Sequence, residues 1–302
     1  MCADRGQSIA MAAWRRRLLF TVATSDRFEW GVRRVPALER AAYRRALRYV
    51  AGAGRDDAFE VAQRLSGQRI AASLDFFGEQ VTDEHAARAA TLDYVKLARD
   101  LGGLPSSTWL AIDLSHIGLD ISRALAEEHL LEVAAALPEG RAIQVGAEDA
   151  ARNAGVNETI LSAHSEGAPV WATVQANLRE GPDVATLLSE AGVPVRLVKG
   201  AYVEAPAISH PWGEPTDRLF LDLVSQLAEA DVPFSLATHD PVLREACLER
   251  CPGTPIEMLL GVREADARSL AARGLSVRLY VPYGQDWFRY FMRRLAEAQG
   301  SS

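Results

Sequence analysis

Residues 277–284 read VRLYVPYG, and residues 286–297 that follow read DWFRYFMRRLAE. The first stretch is an apolar run of strand length that ends at a Pro/Gly turn. The second begins at Asp286, a suitable N-cap, and carries apolar residues at helical spacing up to Gly300, which closes the pattern. A strand that passes through a short turn into an amphipathic helix is a βα unit, and the same unit recurs along most of the chain.

From residue 69 onward, apolar runs of strand length alternate with helical patterns. The predicted strands lie at 70–77, 109–114, 142–147, 170–176, 193–201, 233–238, 256–262 and 276–281. The predicted helices lie at 85–101, 121–136, 149–164, 182–190, 217–230, 241–250, 264–273 and 286–297. Strands that are apolar throughout are typical of parallel sheets buried on both faces.

Eight such units in about 230 residues predict an α/β fold, a (β/α)8 TIM barrel. A doubly wound open sheet is the alternative, but no Gly-x-Gly-x-x-Gly follows the first predicted strand. Residues 1–67 instead show apolar positions at helical spacing, at 14–22, 38–50 and 58–65, and no strand pattern. We therefore expect an N-terminal helical arm at 1–67 and a barrel domain at 68–302.

The composition, with 48% hydrophobic and 24% charged residues, is that of a globular protein, and the net charge of -7 argues against broad nucleic-acid binding. The three cysteines have no histidine at metal spacing, so we expect no metal site and a reducing compartment. No apolar run approaches the roughly 20 residues of a membrane span. Three arginines at 15–17 precede a short apolar run without a cleavage signal, which favours an amphipathic helix and a cytoplasmic protein.

In a TIM barrel, the chemistry collects at the C-terminal ends of the strands. Polar residues expected there are Asp75, Glu79, Asp113, Ser115, His116, Glu148, Asp149, Gln175, Asn177, Arg196, Lys199, Tyr202, Thr238, His239, Asp240, Tyr280 and Tyr283. Arg196 and Lys199 lie within an apolar strand, and buried cations need a partner. That partner is either a phosphorylated or electron-rich ligand or an internal carboxylate, and Gly200 indicates a close approach of the backbone.

The last helix carries Tyr290, Arg293, Arg294 and Glu297 at spacings of three and four, so they share one face. Two guanidinium groups beside a tyrosine suit a small carboxylate, which arginine binds with two parallel hydrogen bonds. A solvated surface charge is the alternative. His239 stands alone at a strand end, where a hydrogen-bonded packing or cofactor contact is more common than a catalytic base.

Several motifs together resemble the flavin-dependent proline dehydrogenase family. They are SLDFFGE at 73–79, RLVKGAY at 196–202, ATH at 237–239, EMLLG at 257–261, VRLYVPYG at 277–284 and YFMRR at 290–294. The likeness extends from about residue 69 to 297. It implies a distorted (β/α)8 barrel that holds FAD without a Rossmann glycine motif.

The resemblance also implies roles for single residues. Those expected to contact FAD are Gln175, Arg196, Lys199, Gly200, Ala201, Thr238 and His239, with Arg196 beside the reactive part of the flavin. Those expected around the substrate are Asp113, Leu259, Tyr280, Tyr290, Arg293, Arg294 and Glu297. Arg293 and Arg294 would bind the substrate carboxylate and Glu297 would steady them. Arg196, Tyr280, Arg293 and Arg294 are the candidate catalytic residues.

The implied reaction is hydride transfer to flavin N5 from the ring carbon next to nitrogen, which converts proline or a proline-like cyclic amino acid to a cyclic imine of the 1-pyrroline-5-carboxylate type. In such an enzyme the cofactor carries the chemistry, and the protein supplies orientation and a dry pocket. The resemblance leaves the electron acceptor open, with a quinone as one candidate. A quinone would require transient membrane contact, for which the helix beginning at Trp14 is a candidate.

Two positions depart from the family pattern. Asp113 stands where the family usually has a lysine, and Gly146 where it usually has an aspartate. A change from lysine to aspartate reverses charge, so the field of the pocket differs from that of an ordinary proline dehydrogenase. The open alternatives are another small amino or imino acid as substrate, an FAD-binding barrel with little or no proline activity, and a flavin-free aldolase or lyase that uses Lys199 as a Schiff base.

Overall fold

The computed structural model describes residues 26–298, and the side chains of residues 28–295. Three helices precede the first strand: α1 (Asp26–Arg33), α2 (Pro36–Ala46) and α3 (Arg55–Ser66). The strands are β1 (Ala71–Phe76), β2 (Thr108–Ile112), β3 (Ile143–Val145), β4 (Val170–Gln175), β5 (Val195–Val198), β6 (Phe234–Ala237), β7 (Ile256–Leu259) and β8 (Val277–Tyr283). The helices that follow them are α4 (Glu84–Asp100), α5 (Arg123–Ala135), α6 (Asn153–Ser165), α7 (Gly181–Glu190), α8 (Glu214–Glu229), α9 (Pro241–Arg250), α10 (Glu264–Ala272) and α11 (Trp287–Ala298).

The eight strands pair in parallel in sequence order and close into a barrel through β1 and β8. This confirms the predicted (β/α)8 barrel, and each predicted strand overlaps an observed one. The strand β5 is shorter than the predicted 193–201, because the chain leaves the sheet at Lys199 and turns at Gly200, whose φ is +103°. The strand β8 continues past its predicted end at 281, and the carbonyl of Pro282 accepts a hydrogen bond from the backbone N–H of Ala51.

The N-terminal helices pack against the end of the chain. Tyr49 and Val50, just after α2, share an apolar cluster with Trp287 and Phe291 of α11. The rings of Tyr43 and Trp287 lie 5.2 Å apart between centroids. This packing covers the apolar face of α11, so the face that carries the arginines is directed towards the barrel. The helix α1 was not among the predicted segments, while the predicted helix at 14–22 lies outside the described residues.

Two further findings concern the described part of the chain. No helix within residues 26–298 is long and apolar enough to cross a membrane. In the same range, no group of three or more histidine, cysteine, aspartate or glutamate side chains is arranged to hold a metal ion. Cys247 and Cys251 are free thiols, and Cys2 lies outside the described residues. The boundary at 67/68 between arm and barrel stays a prediction.

Gly261 joins the arm to the barrel, and we expect Gly261→Ala to destabilise the fold by roughly 1–3 kcal/mol. Gly261 has a φ of +77°, and a Cβ there would lie 1.9 Å from the carbonyl oxygen of Arg48. Gly253→Ala is the matched control, because Gly253 also has a positive φ, of +82°, but no atom within 4 Å of the added carbon. Equal losses of free energy of unfolding in the two variants, measured in urea, would show that the contact with Arg48 contributes nothing.

Candidate active site

A cavity of about 280 Å³ opens at the C-terminal ends of β1, β2 and β8, under α11. It is lined by Glu29, Asp75, Phe77, Gly78, Glu79, Asp113, Tyr280, Asp286, Arg289, Tyr290 and Arg293. Five of these side chains are carboxylates and two are arginines. The lining therefore combines aromatic walls with an excess of acid groups.

Asp75 and Tyr280 form one wall of the cavity. They lie on the paired strands β1 and β8, and the hydroxyl of Tyr280 donates a hydrogen bond to Oδ2 of Asp75. Asp75 is 5% exposed. Burial raises its pKa to about 6, although the bond from Tyr280 and the charge of Arg196 act in the opposite direction. Burial and the nearby Asp75 raise the pKa of Tyr280, so its hydroxyl stays a hydrogen-bond donor.

Asp113 follows β2 and occupies the space beside Gly146. A Cβ added to Gly146 would lie 1.9 Å from Oδ1 of Asp113, so position 146 can carry no side chain while Asp113 keeps its place. Burial, with the charges of Asp75 and Glu148, raises the pKa of Asp113 well above its usual range. The two departures from the family pattern are thus sterically coupled.

The helix α11 places its two arginines differently. Arg293 lines the cavity and donates from Nη1 to Oε1 of Glu79 at 3.3 Å. Arg294 is 9% exposed, with its guanidinium carbon 5.0 Å from the centre of the Tyr290 ring. The rings of Tyr290 and Tyr280 lie 6.1 Å apart, so both tyrosines flank the arginine pair. Glu297 belongs to α11, but its side chain lies outside the described residues.

Arg196 belongs to a hydrogen-bonded network inside the barrel. Its Nε donates to Oγ1 of Thr173 at 3.2 Å and its Nη1 to Oε1 of Gln144 at 3.1 Å. The amide of Gln144 donates to both carboxylate oxygens of Glu257, which lies 4.0 Å from Arg196. The cation therefore has an internal carboxylate partner.

Lys199 also has internal partners. Its Nζ lies 2.6 Å from Oδ1 of Asp217 and 3.2 Å from Oδ2 of Asp240. Of the two partners that the sequence left open for these strand-5 cations, the structure contains the internal carboxylates.

Gly200 meets Asn177 at the end of β4. A Cβ on Gly200 would lie 1.8 Å from Oδ1 of Asn177. Asn177 is buried, and its Oδ1 has no hydrogen-bond partner among the described residues. A buried acceptor of this kind is costly unless a ligand donates to it. The close approach predicted at Gly200 is therefore present, and its neighbour is Asn177, which the sequence predicted only as a polar residue at a strand end.

The remaining predicted cofactor residues lie around the same ends of β4–β6. Gln175 donates from Nε2 to the carbonyl of Glu148 at 3.0 Å. Oγ1 of Thr238 accepts from the backbone N–H of Asp240 at 3.2 Å, and Ala201 is exposed in the loop after β5. These residues follow β4–β6, whereas the cavity lies at the ends of β1, β2 and β8, on another part of the barrel mouth.

His239 has an uncharged ring whose orientation is fixed by a hydrogen bond. Its Nε2 accepts the backbone N–H of Leu259, at the end of β7, at 3.0 Å. Since a backbone N–H can only donate, the proton of the neutral ring sits on Nδ1. Burial and the charge of Arg294, ahead of more distant arginines, lower the pKa of His239 to about 4. The ring can donate a hydrogen bond from Nδ1 but is a poor base near neutral pH.

Some residues of this site were not predicted from the sequence. Glu29 lies on α1, which is not among the helical segments predicted within the arm. Asp286 was predicted only as an N-cap, and Arg289 only as part of the last helix. Gln144 and Glu257 lie within strands, where side chains alternate between the barrel interior and the surrounding helices. A polar residue in an otherwise apolar buried strand was the available signal for both.

We expect Asp75→Asn to change how stability depends on pH. A carboxyl whose pKa rises from 3.8 to about 6 on folding stabilises the fold fully below pH 3.8, and this contribution is lost as pH rises through 6. Relative to the wild type, the asparagine variant should gain up to about 3 kcal/mol between pH 4 and pH 8. Urea unfolding at both pH values measures this gain. A difference that does not change with pH would contradict it, and Asp222→Asn on the exposed face of α8 is the control.

The chain is similar in sequence to known proteins. A family model described as proline dehydrogenase matches residues 58–302. Proline dehydrogenase 1 of Bacillus subtilis subsp. natto is 30% identical over 260 residues, which cover 83% of this chain and 86% of that protein. Proline dehydrogenase of Deinococcus radiodurans is 30% identical over 265 residues, with the same coverage of 83% and 86%.

Solved structures show the same barrel. Proline utilization A from Bdellovibrio bacteriovorus superposes with a TM-score of 0.81 at 19% identity, over 97% of this chain and 37% of that one. The protein of that name from Bradyrhizobium japonicum gives 0.74 at 22% identity, over 90% and 33%. The chain spans about a third of the length of these two proteins, and at this identity they show the fold alone.

Proposed function

The chain belongs to the proline dehydrogenase family, and from this premise we propose that it oxidises proline, or a proline-like cyclic amino acid, to the cyclic imine with FAD as the hydride acceptor. The observation that carries this proposal is the pair Arg293 and Arg294 on α11, beside the tyrosine-walled cavity at the mouth of the barrel. Guanidinium groups bind a carboxylate with defined geometry, and a cavity of about 280 Å³ suits a small ring.

The residues at the ends of β4–β6 fit the proposed cofactor. FAD presents hydrogen-bond donors and acceptors on its ring system and a pyrophosphate on its chain. The protein offers Nδ1–H of His239, the guanidinium of Arg196 and the ammonium of Lys199 as donors, and the unsatisfied Oδ1 of Asn177 as an acceptor. The absent side chain of Gly200 leaves room for the amide of Asn177. We propose that Gln175, Ala201 and Thr238 complete this set.

When bound, FAD would supply the two-electron oxidising power, and the protein's own residues would do the rest. Arg293 and Arg294 would hold the substrate carboxylate, which fixes the orientation of the ring. Tyr280 and Tyr290 would pack against the ring and exclude water. Leu259 would close the side next to His239, and Glu297 would pair with the arginines.

The alternatives do not gain support from the structure. Lys199 is paired with Asp217 and Asp240, whereas a Schiff-base lysine must lose its proton in a desolvated pocket. Neither the comparisons nor the described residues favour an inactive barrel. We further propose a cytoplasmic location, on the scarcity of cysteine, and a quinone as electron acceptor, on the family resemblance.

The proposed function predicts a yellow purified protein whose flavin absorbance bleaches without oxygen when L-proline or a related cyclic amino acid is added. L-Valine has the same number of carbons but no ring, and it should leave the absorbance unchanged. A colourless protein that does not take up added FAD would contradict the cofactor proposal. A yellow protein that no cyclic amino acid bleaches would contradict the reaction.

A further inference from the structure

We propose that Asp113, in the space left by Gly146, forms with Asp75 a carboxyl pair that binds the ring ammonium group of the substrate and so selects cyclic amines over rings without nitrogen. This inference rests on the proposed function, because it takes a cyclic amino acid as the ligand. It adds a recognition site for the nitrogen end of the substrate, opposite the arginines that serve the carboxylate end.

The geometry places both acids in one cavity. Asp75 lies on β1, Asp113 lies just after the adjacent strand β2, and both line the cavity of about 280 Å³. Gly146 is the neighbour that permits this, because a Cβ there would meet Oδ1 of Asp113 at 1.9 Å. The missing side chain at position 146, just after β3, thus leaves room for Asp113 in the cavity.

The lining of the cavity has more acidic than basic side chains, which favours a ligand with a cationic group. The lining holds five carboxylates and two arginines, and Arg293 is already paired with Glu79 at 3.3 Å. A cyclic amino acid carries one carboxylate and one ammonium group. If the arginines of α11 bind the carboxylate, the acid wall formed by Asp75 and Asp113 faces the rest of the ring and offers a counter-ion to its nitrogen.

A cation between the two acids should release a proton. Burial raises the pKa of Asp75 to about 6, and burial together with the charge of Asp75 raises the pKa of Asp113 well above its usual range, so the pair is partly protonated near pH 6. An ammonium group stabilises both carboxylates and expels that proton. The other groups that face Asp113 are the acids Glu79 and Glu148, the base Arg293, and the hydroxyls of Tyr94, Tyr202 and Tyr280.

The test compares ligands that differ only in the ring atom. L-Proline carries both groups, and tetrahydrofuran-2-carboxylate replaces the ring nitrogen by oxygen. Binding is measured by titration calorimetry near pH 6.5, on flavin-loaded enzyme whose flavin has been chemically reduced so that no hydride can be transferred. Repetition in buffers of different ionisation enthalpy counts the protons released on binding.

For the wild type, we expect proton release with L-proline and none with the oxygen ring. Asp113→Asn should weaken the binding of L-proline by about 10- to 100-fold and abolish proton release, because it removes a charged hydrogen-bond partner. The affinity of the same variant for tetrahydrofuran-2-carboxylate should stay within about threefold of the wild type or increase, because the substitution removes a repelling charge. Gly146→Ala, which displaces Asp113, should change the two affinities in the same directions. Asp222→Asn, on the surface of α8, should change neither.

The outcomes separate the two proposals. Equal weakening of both ligands in Asp113→Asn and in Gly146→Ala, or L-proline binding without proton release, would overturn the carboxyl pair while the proposed function stands. A wild-type enzyme that binds neither ring acid would overturn the proposed function and this inference together.

Discussion

Arg294→Ala should raise the dissociation constant for the substrate by about 100-fold or more while flavin stays bound, because removal of a buried charged hydrogen-bond partner typically costs about 2–5 kcal/mol. Arg294 is 9% exposed, and its guanidinium is held against the face of Tyr290. The side chain is therefore already ordered before a carboxylate arrives, and little entropy remains to be lost on binding.

Arg294→Lys tests the geometry separately from the charge. A lysine keeps the positive charge but lacks the planar fork that binds two carboxylate oxygens, so we expect an intermediate loss of about 10-fold. Arg218→Ala, an exposed arginine of α8 paired with Glu214, is the matched control and should bind the substrate like the wild type. Substrate affinity is read from flavin bleaching at increasing substrate, and flavin content from the absorbance of the purified variant. Loss of flavin with unchanged substrate affinity would show that Arg294 serves the cofactor instead.

Glu257→Ala should cost about 3–5 kcal/mol of the free energy of unfolding, the usual penalty for removing one partner of a buried ion pair. Glu257 is 4% exposed and accepts hydrogen bonds from Gln144 and from the hydroxyl of Ser235 at 2.8 Å. Without it, the amide of Gln144, the hydroxyl of Ser235 and the charge of Arg196 all lose a partner inside the barrel. Urea unfolding measures the loss.

Glu257→Gln separates the charge from the hydrogen bonds. The amide oxygen can still accept from Ser235 or Gln144, so we expect about half the loss seen with alanine. Glu249→Ala, an exposed residue of α9, is the matched control and should stay within about 0.5 kcal/mol of the wild type. An alanine variant as stable as the wild type would mean that water enters the barrel and replaces the carboxylate.

The fold was predictable because hydrophobic patterning is local. Each strand is a short apolar run and each barrel helix an amphipathic one, so the order of eight βα units can be read without any distant contact. The missed element shows the converse. The helix α1 has only eight residues and few apolar ones, and it is stabilised by contacts such as that between Phe28 and Phe288, 6.0 Å apart and 260 positions distant in the chain.

The candidate site was only partly predictable. Strand ends located Asp75, Asp113 and His239 at the mouth of the barrel, because parallel strands direct all their C-terminal ends to one side. The division of that mouth into an acidic cavity at β1, β2 and β8 and a group of hydrogen-bond donors at the ends of β4–β6 was not predictable. It depends on which strands become neighbours on closure and on where α11 is held by the N-terminal helices.

The sequence by itself determined the barrel, the position of the arginine helix after its last strand, and the two departures at Asp113 and Gly146. Only the tertiary structure decided that these departures form one steric unit and that the strand-5 cations have carboxylates as partners. The physical reason is the range of the interactions. Helix and strand patterns depend on neighbours a few residues apart, whereas the close contact of Gly146 with Asp113, and of Arg196 with Glu257, exists only after the sheet has closed.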